Sequence, residues 1–378
     1  MAHTQSSVIS VSNKQLLPLV RTASGIVERR VAVPILGHLL LKAEDGRITV
    51  IGTKGTDQVN VSCETDNVFE TGMMTAPAMQ IQSILSNLSA DAEVRLETAR
   101  DSIRLTSGTS SFSMPACDPG TFPLLKTDLT GVNVTIPAKS LRKMLSEVAF
   151  AMAVQDVRAY LNGVLFEVEK QTLNLVATDT FRLAVATTQL DNLPVDEQIH
   201  CGIVPRGTIS LLLKMLPDTD DIVEILLGEG KTLFKWNGVE FVSSMVEGKF
   251  PSYRRVIPTE DINNRTVKVS REDLVRTVTQ TALFADDKRP GMAMELTKNL
   301  MTFKYRTDLN EMSSVRLECE WPHEDMTMAF NSKFFMAALT AVGAKSLVLH
   351  FGANTSPLLI TKGEEDDGYR SILMPCRL

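Results

Sequence analysis

Little in this chain suggests chemistry of its own. Aromatic residues make up 6% of the 378 residues, with only two Trp, which argues against a protein that stacks single-stranded bases. The five cysteines (Cys63, Cys117, Cys201, Cys319 and Cys376) are scattered, odd in number and form no C-x-x-C pair, as expected of reduced thiols in a cytoplasmic protein. No apolar run approaches the ~18 residues of a membrane span. The opening MAHTQSSVISVS lacks the basic start and apolar core of a signal peptide. Cys376 stands one place too late for a prenylation box. Lys and Arg (39) are outnumbered by Asp and Glu (45), a net charge of −6. Bulk attraction to nucleic acid is thereby excluded, and any such contact needs a local basic surface.

Enzyme motifs fail one by one. Gly228-Glu-Gly-Lys-Thr232 resembles the end of a phosphate-binding loop, but the first required glycine would fall at Ile225, so a hairpin turn is expected instead. The five histidines (His3, His38, His200, His323 and His350) have no zinc spacing. Glu364-Glu-Asp-Asp-Gly368 lacks the alternating ligands of a calcium loop and reads as a solvated tip. The serine-rich stretch Thr106–Ser113 contains no G-x-S-x-G elbow. The expectation is no catalytic residue, no metal and no cofactor.

What the chain does have is length and repetition. With 44% hydrophobic and 22% charged residues it can bury several cores, in two or three domains. Gly37–Thr53, Gly163–Thr178 and Gly291–Thr307 share one pattern: a glycine, an apolar strand, a polar turn, an alternating strand, then threonine. The glycines are 126 and 128 residues apart. An amphipathic helix precedes each hairpin, at Lys14–Ala23, Ala138–Ala151 and Ser270–Leu283, with Ser270 and Asp273 as a start signature. Another helix follows each, opening at Pro77, Pro205 and Asn331, and strand-rich tails come after. Phe122-Pro123 and Phe250-Pro251 mark two tail ends. The chain therefore reads as three copies of one α+β unit, with boundaries at 1–130, 131–253 and 254–378. Asp57, Asp179 and Asp308 follow the hairpins, and their repetition favours a turn role over catalysis. Similar units with similar junctions give an arc that a second copy closes.

These landmarks carry a resemblance. Val33-Pro-Ile-Leu-Gly37, Gln155-Asp-Val-Arg158, Tyr160-Leu-Asn-Gly163, Ala177-Thr-Asp179 with Arg182-Leu-Ala184, Phe250-Pro-Ser-Tyr-Arg-Arg-Val256 and Met374-Pro-Cys-Arg-Leu378 are similar to the bacterial DNA polymerase III beta subunit family, the replicative sliding clamps. The resemblance spans nearly the whole chain. It implies an α+β fold of three clamp domains, each with two helices packed on antiparallel sheets, forming half of a ring. The ring is a head-to-tail homodimer that encircles double-stranded DNA without reading sequence. It tethers the replicative polymerase and docks the clamp loader, other polymerases and repair proteins through short apolar motifs. No enzymatic activity, cofactor or membrane is implied, and the location is cytoplasmic.

Site residues follow from the same resemblance. Arg30, Gln155 and Tyr160 sit where the family contacts duplex DNA; Ala159 stands where an aromatic is common. A ring that slides needs diffuse attraction to phosphates. The helices supply Lys14, Arg142, Lys143 and Arg206, with Arg21, Lys139, Lys214, Arg271, Arg276 and Lys333. Dimer closure pairs Phe112 and Met114, on an edge strand, with Leu283 and Phe284 on a facing helix. A peptide groove is expected from Leu161, Thr178, Arg182, Leu183, Pro251, Arg255 and Val256. Asn331, Phe334 and the terminal run Ile372, Leu373, Met374, Pro375, Cys376, Arg377 and Leu378 complete it. Cys376 in place of a common Met, Arg289 in place of an aromatic, and the turn Thr180-Phe181 depart from the family and alter the groove's side preferences. Repetition alone also fits a monomeric peptide-binding scaffold, or a metabolic enzyme with sites between domains. The first would lack a cationic hole; the second would need an acid–base or metal cluster that the sequence does not offer.

Overall fold

Each of the three repeated stretches folds as a β-hairpin, and each turn holds a residue in the left-handed region: Asp45 with Gly46, Lys170, and Asn299. That is the conformation tight hairpin turns require. The computed structural model describes residues 8–65, 71–190, 199–259, 261–285, 290–363 and 368–377. The acidic run at 364–367, Arg289 and Leu378 lie outside the described residues.

The first third holds β1 (Val8–Ser12), α1 (Asn13–Ser24), β2 (His38–Glu44), β3 (Arg47–Thr53), β4 (Asp57–Glu64), β5 (Gly72–Pro77), α2 (Ala78–Ser86), β6 (Glu93–Ala99), β7 (Ser102–Ser107) and β8 (Ser110–Pro115). The second holds β9 (Gly131–Pro137), α3 (Ala138–Ala149), β10 (Gly163–Glu169), β11 (Thr172–Thr178), β12 (Arg182–Gln189), β13 (His200–Pro205), α4 (Arg206–Met215), β14 (Ile222–Gly228), β15 (Lys231–Trp236) and β16 (Val239–Ser244). The third holds β17 (Arg265–Ser270), α5 (Arg271–Thr281), β18 (Gly291–Thr297), β19 (Leu300–Arg306), β20 (Met312–Glu318), β21 (Met326–Asn331), α6 (Ser332–Ala341), β22 (Ser346–Phe351), β23 (Leu358–Lys362) and β24 (Arg370–Leu373). The element order is the same three times over: one strand, a helix, four strands, a helix, three strands. No described helix is long and apolar enough to cross a membrane.

Helix ends agree with the local chemistry. The Ser270 hydroxyl accepts from the Asp273 amide at 3.3 Å. The Asn331 carboxamide accepts from the amides of Lys333 and Phe334 at 3.0 and 3.2 Å. These bonds satisfy donors that a helix start otherwise leaves unpaired. Two helices end earlier than expected. α3 stops at Ala149, where the Ala151 amide bonds back to the Val148 carbonyl at 3.0 Å. α5 stops at Thr281, and Ala282–Phe284 tightens into a 3-10 turn. Leu283 and Phe284 therefore sit on that turn and not on the α-helix. Gly228-Glu-Gly-Lys-Thr232 is the β14–β15 hairpin turn, with Gly230 at φ +69.

Contacts divide the chain into two compact units. The unit built from 1–139 and 210–245 contains a four-stranded sheet, β1-β6-β7-β8, and an eight-stranded sheet, β5-β2-β3-β4-β16-β15-β14-β9. The unit built from 140–209 and 246–378 contains an eight-stranded sheet, β13-β10-β11-β12-β24-β23-β22-β17, and a four-stranded sheet, β20-β19-β18-β21. Every paired strand runs antiparallel to its neighbour, with β4 joined to β16 through Val61 and Val239, and β12 to β24 through Leu183 and Ile372. Each eight-stranded sheet is thus two half-sheets from successive thirds. In the second unit one core gathers Trp321, Phe303, Phe335 and Phe351. A separate cluster gathers Leu165, Val176, Leu183, Phe250, Tyr253, Leu359 and Ile372.

The repeated glycines differ in tolerance. A methyl at Gly163 would lie 2.4 Å from the Val204 carbonyl oxygen on β13, whereas at Gly37 it would meet only the Val31 side chain, at 3.2 Å. Gly163→Ala is expected to destabilise the protein by about 1–3 kcal/mol, the range for overpacking, and Gly37→Ala by less. Denaturant unfolding of the two variants checks this; equal losses would contradict it.

Candidate functional site

A short turn between β11 and β12 builds one wall of a largely apolar pocket. The Thr178 hydroxyl donates to the Arg182 carbonyl at 2.7 Å, and the Thr180 amide donates to the Thr178 hydroxyl at 3.1 Å. Asp179 Oδ1 accepts from the amides of Phe181 and Arg182 at 3.0 and 3.1 Å, and its Oδ2 accepts from Arg182 Nε at 2.9 Å. Thr180 takes φ +78 inside this frame. Asp179 is therefore a turn residue, as its repetition suggests. The Arg182 guanidinium lies 4.4 Å from the centre of the Phe334 ring and 5.4 Å from that of Phe150. Ion pair and rings together hold Arg182 in one orientation.

The second wall is the terminal strand. β24 pairs with β12, the Met374 amide donates to the Phe181 carbonyl at 2.9 Å, and the Cys376 amide to the Ala329 carbonyl at 2.8 Å. The third is a strap over the sheet at 250–256. Phe250 and Tyr253 are buried in it, while Val256 stays 44% exposed. Together they enclose about 160 Å³, lined by Thr178, Thr180, Arg182, Leu183, Pro251, Tyr253, Val256, Ile372 and Met374. An apolar hollow of this kind, with few orienting polar groups, seats one or two apolar side chains.

Seven of the expected groove residues line this pocket: Thr178, Arg182, Leu183, Pro251, Val256, Ile372 and Met374. Leu161 and Leu373 do not; both are buried in the core. Asn331 is occupied in capping α6, and Phe334 stacks against Phe181 with ring centres 6.0 Å apart. Arg255, Pro375, Cys376 and Arg377 lie outside the walls. Thr180 and Tyr253 are walls that the sequence reading did not assign. The signal for Tyr253 was present in Phe250-Pro-Ser-Tyr253, since a tyrosine in an apolar strap usually buries its ring.

The expected DNA-facing residues fall in different settings. Arg30 and Gln155 are exposed in loops, Gln155 at φ +55. Tyr160 is only partly exposed, its ring packed on Gly248 and on the cluster of Leu165, Phe250 and Tyr253. Its face is thus committed to packing. Lys14 on α1 and Arg142 and Lys143 on α3 are exposed. Arg206 is part-buried, and one of its guanidinium nitrogens donates to the Met152 carbonyl at 3.2 Å. Arg271 behaves similarly, donating to the Leu339 carbonyl at 2.8 Å. Among the described residues no cluster of His, Cys, Asp and Glu could hold a metal.

β8 is an open edge and carries Phe112, 37% exposed. Met114 is a correction: at 3% exposure its side chain belongs to the core, because the alternating pleat turns it inward. Leu283 and Phe284 are 73% and 45% exposed. Met312, 65% exposed on the open edge strand β20, is a further apolar group that sequence reasoning missed.

Comparison with known proteins agrees with this architecture. Profiles of the N-terminal, central and C-terminal domains of the DNA polymerase III beta subunit match residues 8–126, 135–252 and 254–377. The beta sliding clamp of Vibrio cholerae is 30% identical over 98% of this chain and 99% of its own length. That of Pseudomonas aeruginosa is 28% identical over 98% and 99%. A crystal structure of the Pseudomonas aeruginosa DNA polymerase III subunit beta superposes with TM-score 0.94 at 27% identity, covering 98% of this chain and all of that one. Another, bound to griselimycin, gives TM-score 0.94 at 28% identity, covering 99% and 100%.

The loop at 154–158 generates a titration test. Asp156 accepts from the Arg158 side chain at 3.0 and 2.8 Å and from its amide at 2.8 Å, and these bonds lower its pKa from 3.8 to about 2. A depressed carboxylate favours the ordered loop above the ordinary value, and the contribution disappears as pH falls through about 2. Carboxyl-carbon NMR should find Asp156 titrating near that lower value, and Arg158→Gln should return it toward 3.8.

Proposed function

Because the chain belongs to the DNA polymerase III beta subunit family, the beta sliding clamps, we propose that two copies close head to tail into a ring around double-stranded DNA. The ring tethers the replicative polymerase and gives it processivity. Three domains, at 1–130, 131–253 and 254–378, make up each copy. The observation that carries this reading is the pattern of sheet seams. Each third of the chain contributes two half-sheets. The second half-sheet of the first third joins the second third through β4 and β16, and that of the second third joins the last through β12 and β24. By the same rule β20 calls for a strand equivalent to β16 and β24, and that strand is β8. Within one chain both are free edges. An unpaired edge is a template for another strand, and two different complementary edges produce a heterologous, ring-closing contact. Phe112 on β8 and Leu283, Phe284 and Met312 beside β20 supply exposed apolar area for that joint.

On DNA the protein acts through charge and topology. Lys14, Arg142 and Lys143, with Arg30 and Gln155, are accessible for phosphate contacts that leave base edges unread. Tyr160 contributes through its exposed rim. The chain needs no catalytic group for this role. The pocket at Leu183, Val256, Ile372 and Met374 receives apolar anchors from the polymerase, the clamp loader and repair proteins. The griselimycin-bound relative supports a ligand-binding clamp surface.

Two outcomes are expected. Phe112→Ala combined with Leu283→Ala should weaken dimerisation by about 2–5 kcal/mol, the cost of large-to-small truncation in packed sites. Sedimentation with an unchanged dimer would contradict the joint. Rings loaded onto circular DNA should survive high salt and escape once the circle is cut; equal salt-driven loss from circular and linear DNA would contradict topological retention.

A further inference from the structure

We propose that Glu167 is a positioning residue for the apolar pocket: it holds the strap at 250–256 at the height that gives the pocket its third wall. The inference rests on the peptide-groove reading above, and it concerns a residue outside the pocket itself.

Glu167 stands on β10, two residues from Leu165, which belongs to the cluster under the strap. It is 7% exposed. Burying a carboxylate there is costly unless the group is fully bonded. Its bonds come mainly from the strap. The Tyr253 hydroxyl donates to Oε1 at 2.7 Å, and the Arg254 guanidinium donates to Oε1 at 2.5 Å and Oε2 at 3.4 Å. Asn174 adds a longer contact at 3.4 Å. Arg254 also reaches Glu169 Oε2 at 2.6 Å, so two carboxylates of one strand grip one residue of the strap. Burial, then the bond to Glu167, pushes the Tyr253 phenol above its ordinary pKa, which keeps it a donor.

This arrangement does what apolar contact cannot. Hydrophobic burial is non-directional and lets the strap slide over the sheet, whereas short bonds to one carboxylate fix its position. Pro251, Tyr253 and Val256, all strap residues, face Thr178, Leu183 and Ile372 on the sheet across the pocket. A strap shifted by one bond length changes the width of a hollow of only about 160 Å³. The entry to the strap is fixed too: Gly248 has φ +119, and a methyl there would come within 3.3 Å of the Tyr160 ring.

The test uses the full-length protein, with griselimycin as the probe because two related clamps bind it. Val256→Glu, which places a charge in the pocket, should abolish binding. Glu167→Leu and Tyr253→Phe should each weaken binding about tenfold, a typical loss for a bond to a charged group. The double variant should be no worse than the weaker single, since both remove one device. Glu167→Leu also leaves the buried Tyr253 hydroxyl without its acceptor, so its thermal midpoint should fall together with affinity. Glu167→Gln, which keeps an acceptor for Tyr253, should recover part of the affinity. Wild-type protein that fails to bind, or Val256→Glu that binds normally, would overturn the groove reading and this inference with it. Normal wild-type binding, with both single variants unaffected or their effects multiplying in the double, would overturn the positioning role alone.

Discussion

Backbone hydrogen bonding at strand edges is the constraint on which this architecture depends. A strand in the middle of a sheet satisfies both of its sides, and an edge strand leaves a row of donors and acceptors open. Here a half-sheet of four strands recurs six times, twice in each third, and the chain resolves four of those half-sheets by joining them in pairs. Each joint mixes apolar pairs, Val61 opposite Val239 in one unit and Leu183 opposite Ile372 in the other, with polar ones such as Asn60 opposite Glu240 and Ala184 opposite Ser371. Repetition without closure inevitably leaves one unmatched edge of each kind.

The same joint positions the pocket. β12 and β24 meet as neighbours, so the turn after β11 and the last residues of the chain arrive side by side although they are distant in sequence. Thr178 and Asp179 stiffen the turn, and two backbone bonds tie down Met374 and Cys376. The strap then adds a wall across the sheet. A binding hollow assembled from rigid elements costs little to organise when a ligand enters, which suits short segments that bring few anchors.

Charge shows how little a residue type says without its surroundings. Lys14, Arg142 and Arg206 look alike in sequence, each on an amphipathic helix. Lys14 and Arg142 remain exposed, and Arg206 is part-buried and donates to the Met152 carbonyl. Phe112 and Met114 are two residues apart on one strand, yet one is open and the other buried. Glu167 reads as an unremarkable acid in an alternating strand, and the structure makes it the acceptor that pins Tyr253 and Arg254.

The threefold element order, the hairpins at Gly37, Gly163 and Gly291, and the helix-start signature at Ser270 were legible from residue order alone. They depend on contacts between near neighbours in the chain, where propensity, turn chemistry and periodicity act directly. Of the residues that the family resemblance implied for a groove, Leu183, Pro251, Val256 and Met374 line the pocket, whereas Leu161 and Leu373 are buried in the core. A pattern of apolar residues specifies burial but cannot distinguish a pocket wall from the core behind it. Which half-sheets join, which cations stay free, and which carboxylate holds the strap were decided only by tertiary structure, because those outcomes rest on partners brought together from far along the chain.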